Sequence, residues 1–427
     1  MPYSSHNHIT NYNLTQTYKN NFMNIKLTNR TAGFTKIILL TSIISLPSFT
    51  VMASSDYVPN YIAPFLYSGT APGSSTSQFG LQGITGGDTI GTFLVTGTSG
   101  NNGVVYNGPI NNAFTSAGSG SGTWSVINVP DEYVALSTSI YGVDNLGSGT
   151  VNLVGSYVSG TTRIGFYYDG PLSGAGGFKS YQAHGYQDRL ATFTYIHSIS
   201  GGLAVGNYDY LGDGNPLGKA FIYDPSGLGS QIDISYPDAS GLTHTAYGIW
   251  YNGGSSYTIA GGAGVVPRNL KGATNPNKIA PDYDQVAYGD PIGYATLIDY
   301  DSETGEFTNY QTYSFKPTGS EVKRWKNKTL VTHFEGIWSD GAGTYKLPAT
   351  VVATNAISSG AEVATIKRQR NGKFSKHAKW TPLIVNGSSL TTNDSIFGDT
   401  SVGLAIYPAL NAVEMFVSDY AVTPILK

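Results

Sequence analysis

No cysteine occurs among the 427 residues. That absence excludes disulfide cross-links, thiol nucleophiles and thiolate metal sites, so the chain must hold its fold by core burial and sheet hydrogen bonds. Charge is sparse as well, at 12% Asp, Glu, Lys and Arg. Sustained 3.6-residue apolar periodicity is missing beyond the leader, which argues against a helical protein. The main apolar run, Ile37 to Leu46, is about ten residues and too short to span a bilayer. There is no phosphate-binding Walker loop, no Gly-x-Ser-x-Gly elbow and no dinucleotide fingerprint opening a helix, so those catalytic classes have no support.

Glycine (54) and tyrosine (31) fill the space left by charge and cysteine. They recur in a phrase: a run ending in Tyr-Gly or Gly-Ile, a glycine-spaced strand, then an aromatic strand closed by a turn. Copies run from Tyr141 through Tyr157 to Pro171, from Tyr195 through Tyr208 to Pro225, and from Tyr247 through Gly261 to Asp301. A unit of this kind cannot bury its apolar face alone and must stack on its neighbours. Units are placed near 70–130, 135–185, 190–240, 243–317, 330–386 and 392–425, anchored at Gly83, Gly142, Ile196, Gly248, Gly336 and Gly398. Each reads as four strands, with hairpin signals such as Asn371-Gly372 between third and fourth. Fourth strands are placed at Trp124 to Pro130, Gln231 to Pro237 and Tyr310 to Pro317. The stretch 264–291, rich in Asn, Pro, Lys and Asp, reads as a long insertion loop.

The expected fold is therefore all-β: a β-propeller of about six four-stranded blades, with a strand at Tyr61 to Gly69 pairing with the C-terminal unit to close the ring. A β-solenoid has shorter rungs, and a membrane barrel has evenly spaced strands rather than groups of four.

Residues 1–22 read as a polar extension or a misplaced start, residues 23–53 as a signal peptide, and 54–427 as a single propeller domain. Lys26, Arg30 and Lys36 precede the apolar run, and Val51-Met52-Ala53 offers cleavage after Ala53. The expectation is an exported bacterial protein, secreted, surface-attached or periplasmic. After Ala53 there are 20 Lys and Arg against 27 Asp and Glu. Acidic residues are in excess up to residue 267 and basic ones over 268–379.

The phrase Gly-Ile, Val-Gly-x-Tyr, then an aromatic strand, most closely Lys219-Ala220-Phe221-Ile222-Tyr223-Asp224, resembles the HAF-type repeats of bacterial extracellular proteins. That resemblance implies an exported propeller-like protein and carries no catalytic residues. The fifth unit departs from it, since Ala361 to Arg370 is basic rather than aromatic.

Four polar residues precede the blade anchors and fall at one axial rim: His244, His333, Glu335 and Asp394. Converging His and carboxylate side chains can bind a ligand or run acid–base chemistry, whereas separate solvated loop positions would do neither. A basic hairpin containing Lys367, Arg368, Arg370 and Lys373 can meet an anionic partner or simply guard a sheet edge. Asp299-x-Asp301-x-Glu303-x-Gly305 reads as a hairpin turn rather than a calcium loop, lacking the terminal Glu and further oxygen ligands. Trp250 and Trp338 follow equivalent Gly-Ile anchors and read as blade packing. No cofactor and no metal is expected, and no nucleic acid. The reading is a monomeric binding module for a surface glycan, a protein or an anionic ligand, with no catalytic residues assigned. The alternative is a propeller glycoside hydrolase or lyase with an axial His/carboxylate site.

Overall fold

The computed structural model describes residues 60–62, 79–110, 122–185, 189–209, 219–226, 230–237, 242–265, 293–319, 321–326, 328, 330–353, 358–383, 390–407 and 412–419. The leader and nearly all of the 264–291 insertion lie outside these residues. Within them the chain is β-structure throughout, apart from one 3-10 turn and the short helix α1 (Glu321–Arg324).

Strand β1 (Asn60–Ile62) precedes the first antiparallel meander, β2 (Phe79–Gly86), β3 (Thr92–Ser99), β4 (Asn102–Pro109) and β5 (Thr123–Val126). The second is β6 (Ser137–Gly147), β7 (Thr150–Ser159), β8 (Thr162–Pro171) and β9 (Gly177–Tyr181). The third is β10 (Phe193–Ser200), β11 (Leu203–Asp209), β12 (Lys219–Asp224) and β13 (Ser230–Asp233). Then come β14 (Leu242–Gly253), β15 (Ser256–Val265), β16 (Gly293–Asp301) and β17 (Phe307–Tyr313). In the fifth, a split first strand, β18 (Leu330–Phe334) and β19 (Trp338–Ser339), leads to β20 (Thr344–Ala353), β21 (Ser358–Lys367) and β22 (Lys379–Leu383). The last has β23 (Leu390–Thr391), β24 (Ser395–Phe397), β25 (Thr400–Tyr407) and β26 (Ala412–Asp419), and β1 completes it by pairing with β26. Second and third meanders touch edge to edge through a parallel bridge, Phe193 to Arg163.

Burial explains why these sheets face one another. Side chains alternate across each strand, so a central strand feeds two interfaces. On β7, Leu153 packs with Leu94 and Val105 of the first sheet, while Val154 packs with Ile196 and Phe221 of the third. Val205 and Ile222 meet Ile249 and Ile298; Leu297 and Tyr313 meet Phe334 and Leu347; Ala361 and Val363 meet Ile396. Leu81 and Val95 of the first sheet then share a core with Val402 of the last. Each sheet packs face to face on the next, which is the β-propeller arrangement, and among the described residues no sheet closes on itself as a barrel does.

Several boundaries differ from the sequence reading. The fourth strands are shorter: pairing ends at Val126, Asp233 and Tyr313, and the residues running on toward the prolines turn inward as linkers. Ile127 and Ile234 each keep one backbone bond to the neighbouring strand, and Ile127, Ile234 and Phe315 are buried. The N-terminal strand is described over Asn60–Ile62, and residues 63–69 of the expected stretch lie outside the described residues. The turn at 299–305 is a hairpin as expected: Asp301 accepts bonds from the Glu303 and Thr304 amides. Asp299, however, belongs to β16 and takes no part in that turn.

Candidate functional site

The first strand of every meander carries an extra residue at one equivalent place relative to the strand it pairs with; β6 and β14 carry a second near their turns, at Leu146 and Asn252. Register shifts leave Gln82, Tyr141, His197 and Tyr247 unpaired on β2, β6, β10 and β14. In the fifth sheet three residues, Glu335 to Ile337, oppose the two between Ala349 and Lys346 on β20. In the sixth, Thr392 to Asp394 oppose Gly403 and Leu404 of β25. A β-bulge twists the strand and re-aims the side chain it inserts. Here it does so at six equivalent places, and the residues delivered are Gln82, Tyr141, His197, Tyr247, Glu335 and Asp394.

These bulges are pressed together by small residues just after them. A Cβ on Gly142 would stand 2.8 Å from the Ser198 Cα, and one on Gly248 would stand 2.7 Å from the Gly336 carbonyl carbon. The Gly336 Cα in turn faces the Asp394 carbonyl, 3.5 Å from where its own Cβ would be. Backbone thus meets backbone around the axis, and the bulge side chains follow one another in space.

Their rings and charges are in contact. His197 stacks on Tyr141 at 5.4 Å between centroids, lies parallel to Tyr195 at 5.7 Å and meets Tyr247 at 4.4 Å. Tyr247 continues to His333 at 5.7 Å. His333 Nε2 lies 2.5 Å from Glu335 Oε1, both side chains being buried. Asn207 Oδ1 holds the His197 ring at 2.8 Å from Nε2. The Oε1 of Gln82 is buried with no hydrogen-bond partner among the described residues.

Burial sets the protonation of this cluster. It pushes the His197 imidazolium down to about 4, against the opposing effects of the Asn207 hydrogen bond and the Glu335 charge. At neutral pH this histidine is uncharged. Burial also pushes the Asp394 carboxyl well above the usual carboxylate range, the nearby Glu335 charge adds to the effect, and a hydrogen bond from Thr392 opposes it. Two carboxyl groups in one dry place cannot both ionise freely. The cluster therefore combines a carboxyl biased toward its acid form, a histidine-supported glutamate and a neutral imidazole.

Of the four rim residues read from sequence, the structure brings His333, Glu335 and Asp394 together and sets His244 apart. His244 is three residues before the bulge residue Tyr247. Thr138, Thr194 and Thr332 occupy that place elsewhere, and their hydroxyls accept bonds from the Val129, Ala183 and Phe315 amides of the incoming linkers. His244 substitutes a stack on Tyr236 of its own linker, 4.1 Å between centroids and 9° from parallel. It is a linker latch, not an axial group.

The basic hairpin also divides. Lys367, Arg370 and Lys373 are exposed. Arg368 turns inward and forms a two-pronged ion pair with Asp299, at 2.7 and 2.8 Å, while Nη2 also donates to Thr258 and Tyr345. That guanidinium joins the fourth and fifth sheets and is not available to a ligand. Trp250 and Trp338 meet edge to face across the same two sheets, in keeping with blade packing. Among the described residues no group of three or more His, Asp or Glu has metal-site geometry.

Tyr141, His197 and Tyr247 were missed because Tyr-Gly reads as packing and because the third anchor was set at Ile196. The register places it at Ser198. The sixth anchor is likewise Ser395 rather than Gly398. With those two shifts, the residue before each anchor is polar or titratable in all six units, and that alignment alone would have found the ring.

No family model matches the chain, and no curated protein matches it. Solved structures do. An α-L-arabinanase from Penicillium chrysogenum, complexed with arabinobiose, superposes with a TM-score of 0.42 at 11% identity, over 87% of this chain and all of that one (100%). An endo-arabinase from Bacteroides thetaiotaomicron gives 0.36 at 9%, over 70% of this chain and 98% of that one. A fucose-specific lectin from Aleuria aurantia gives 0.36 at 10%, over 84% and 100%. Among the described residues no helix is long and apolar enough to cross a membrane. The β-propeller class stands on the sheets themselves.

Proposed function

We propose that the protein is an exported glycan-cleaving enzyme whose reaction takes place at the axial bulge cluster. The observation that carries this reading is the Glu335–Asp394 pair, with Asp394 biased toward its protonated form beside a glutamate bonded to His333. A binding module needs no carboxyl held in its acid form. Glycosidic cleavage does: one group protonates the leaving oxygen while a carboxylate acts on the sugar as base or nucleophile. In this assignment Asp394 is the proton donor and Glu335 the carboxylate, oriented by His333. The neutral His197 and the Tyr141, Tyr195 and Tyr247 rings supply hydrogen bonds and apolar faces for a sugar.

The test is to incubate the purified protein with a panel of plant, algal and bacterial polysaccharides and to measure new reducing ends. Cleavage is expected for at least one polymer, with a loss of about 10²–10⁴-fold in Glu335→Gln and Asp394→Asn. Unsaturated products would reassign the chemistry to elimination. Binding without cleavage by the unmodified chain would return the protein to the binding-module reading. Export after Ala53 is part of the proposal, and sequencing the N-terminus of protein recovered outside the cytoplasm tests it.

A further inference from the structure

Arg163 is the second residue of β8, beside the axial cluster, and it is half-buried. Nη1 donates to Tyr141 Oη at 3.2 Å and to Ser156 Oγ at 3.0 Å. The guanidinium lies over the Tyr195 ring, 5.4 Å from its centroid. Tyr141 and Tyr195 are the same two rings that flank His197. The two protons of Nη1 are therefore engaged by neutral oxygens, and the three donors on Nη2 and Nε have no hydrogen-bond partner among the described residues. Among the described residues no carboxylate pairs with this guanidinium; its partners there are neutral hydroxyls and an aromatic ring.

That is an unusual place for a cation. A charge drawn out of water is normally balanced by an opposite charge, because its desolvation is not recovered by neutral contacts alone. The contrast within this molecule is direct: Arg368, similarly enclosed, has both prongs on Asp299. Arg163 instead keeps the Nη2–Nε edge of its guanidinium unpaired among the described residues, and such an edge is what recognises a carboxylate or sulfate in two-pronged fashion.

We infer that Arg163 forms an anion subsite at the axial cluster and that the sugar bound there is acidic, carrying a carboxylate or a sulfate. The inference deepens the glycan reading and rests on it for the location of the sugar. Tyr195 and Tyr141 hold the guanidinium in place, so the anionic substituent is fixed while the rest of the sugar lies toward His197. This requirement differs from that of the exposed Lys367, Arg370 and Lys373, which can attract a polyanion from outside without orienting it.

Titration calorimetry with short oligosaccharides tests the assignment in three arms: neutral, uronate-containing and sulfated. Wild type should bind one acidic class more tightly than the neutral one, and the preferred arm identifies the substituent. Arg163→Gln should weaken that binding by roughly 10- to 100-fold and leave neutral oligosaccharides unchanged, while Arg163→Lys should fall between the two. Lys367→Glu with Arg370→Glu should leave binding of these short ligands within about two-fold, because rim charges act mainly at long range. Glu335→Gln should still bind but not cleave, so loss of cleavage without loss of acidic binding separates the two proposals. Equal binding of neutral and acidic sugars by wild type, or Arg163→Gln indistinguishable from wild type, overturns the inference. If Arg163→Gln does not fold, the salt dependence of wild-type binding decides: acidic-arm affinity independent of ionic strength also overturns it.

Discussion

Arg368 and Asp299 lie on different sheets, and their two-pronged ion pair links the fourth and fifth of them. Tyr345, Thr258 and the Gly372 carbonyl complete the guanidinium's donors, and the ring of Phe374 covers it at 4.3 Å. Removing either partner leaves the other charge partly enclosed and unpaired. Arg368→Ala and Asp299→Ala should each cost about 2–4 kcal/mol, and the double variant should cost clearly less than their sum. Denaturant melts of the three variants provide the check, and strict additivity would show that the two residues do not act as a pair.

Asp394→Asn should make the folded protein more stable while lowering the proposed activity. The Asp394 carboxyl has its pKa raised on folding, so its favourable contribution is present at low pH and is lost as pH rises through the folded-state value. An amide cannot ionise and removes that loss. A gain of about 1–2 kcal/mol at pH 7, shrinking toward pH 4, is the expected result in melts across that range. A uniform destabilisation would mean that the carboxyl group is not under strain at neutral pH.

His197 behaves in the opposite sense. Its pKa falls from 6.5 to about 4 on folding, so its contribution is present above pH 6.5 and is lost as pH drops through about 4. Fully lost, the difference is about 3 kcal/mol. The stability of wild type should therefore fall between pH 6.5 and 4 more steeply than that of His197→Gln. Parallel pH profiles for the two proteins would contradict the burial of an uncharged imidazole.

Gly248→Ala tests the axial contact directly. The new methyl would sit 2.7 Å from the carbonyl carbon of Gly336 and 2.8 Å from the amide nitrogen of Ile337, both backbone atoms that cannot swing away. A cost of about 1–3 kcal/mol is expected. Gly372→Ala, which meets nothing but carries a φ of +79°, is the comparison for backbone strain alone. Equal costs at the two positions would remove the argument from close approach.

Much of the architecture is legible in the sequence, because glycine-spaced and aromatic strands have a period that composition and turn chemistry reveal. Gly83, Gly142, Gly248 and Gly336 mark the bulges correctly. What the sequence conceals is register. A residue inserted at the equivalent place of each first strand changes no composition, so His197 looks like one more polar residue in a strand until Ile196 and Ser198 are seen to pair with consecutive partners. His333, Glu335 and Asp394 were visible because the fifth and sixth units interrupt the glycine phrase. His244 shared their appearance and differs only in a three-residue offset. Arg163 and Arg368 look alike in sequence, and only the presence of Asp299 beside one of them distinguishes their roles.

The repeated bulge separates two demands that usually compete at a functional centre. Residues on either side of it, such as Ile140, Ile196 and Phe334, are fixed by the cores between sheets. The inserted residue belongs to neither face of its strand, so its identity is not dictated by the alternation that builds those cores. The axis thus behaves as a socket with six interchangeable positions. If the proposed function holds, exchanging Gln82 or Tyr247 for other polar side chains should alter which sugar is accepted while leaving the cores between sheets intact.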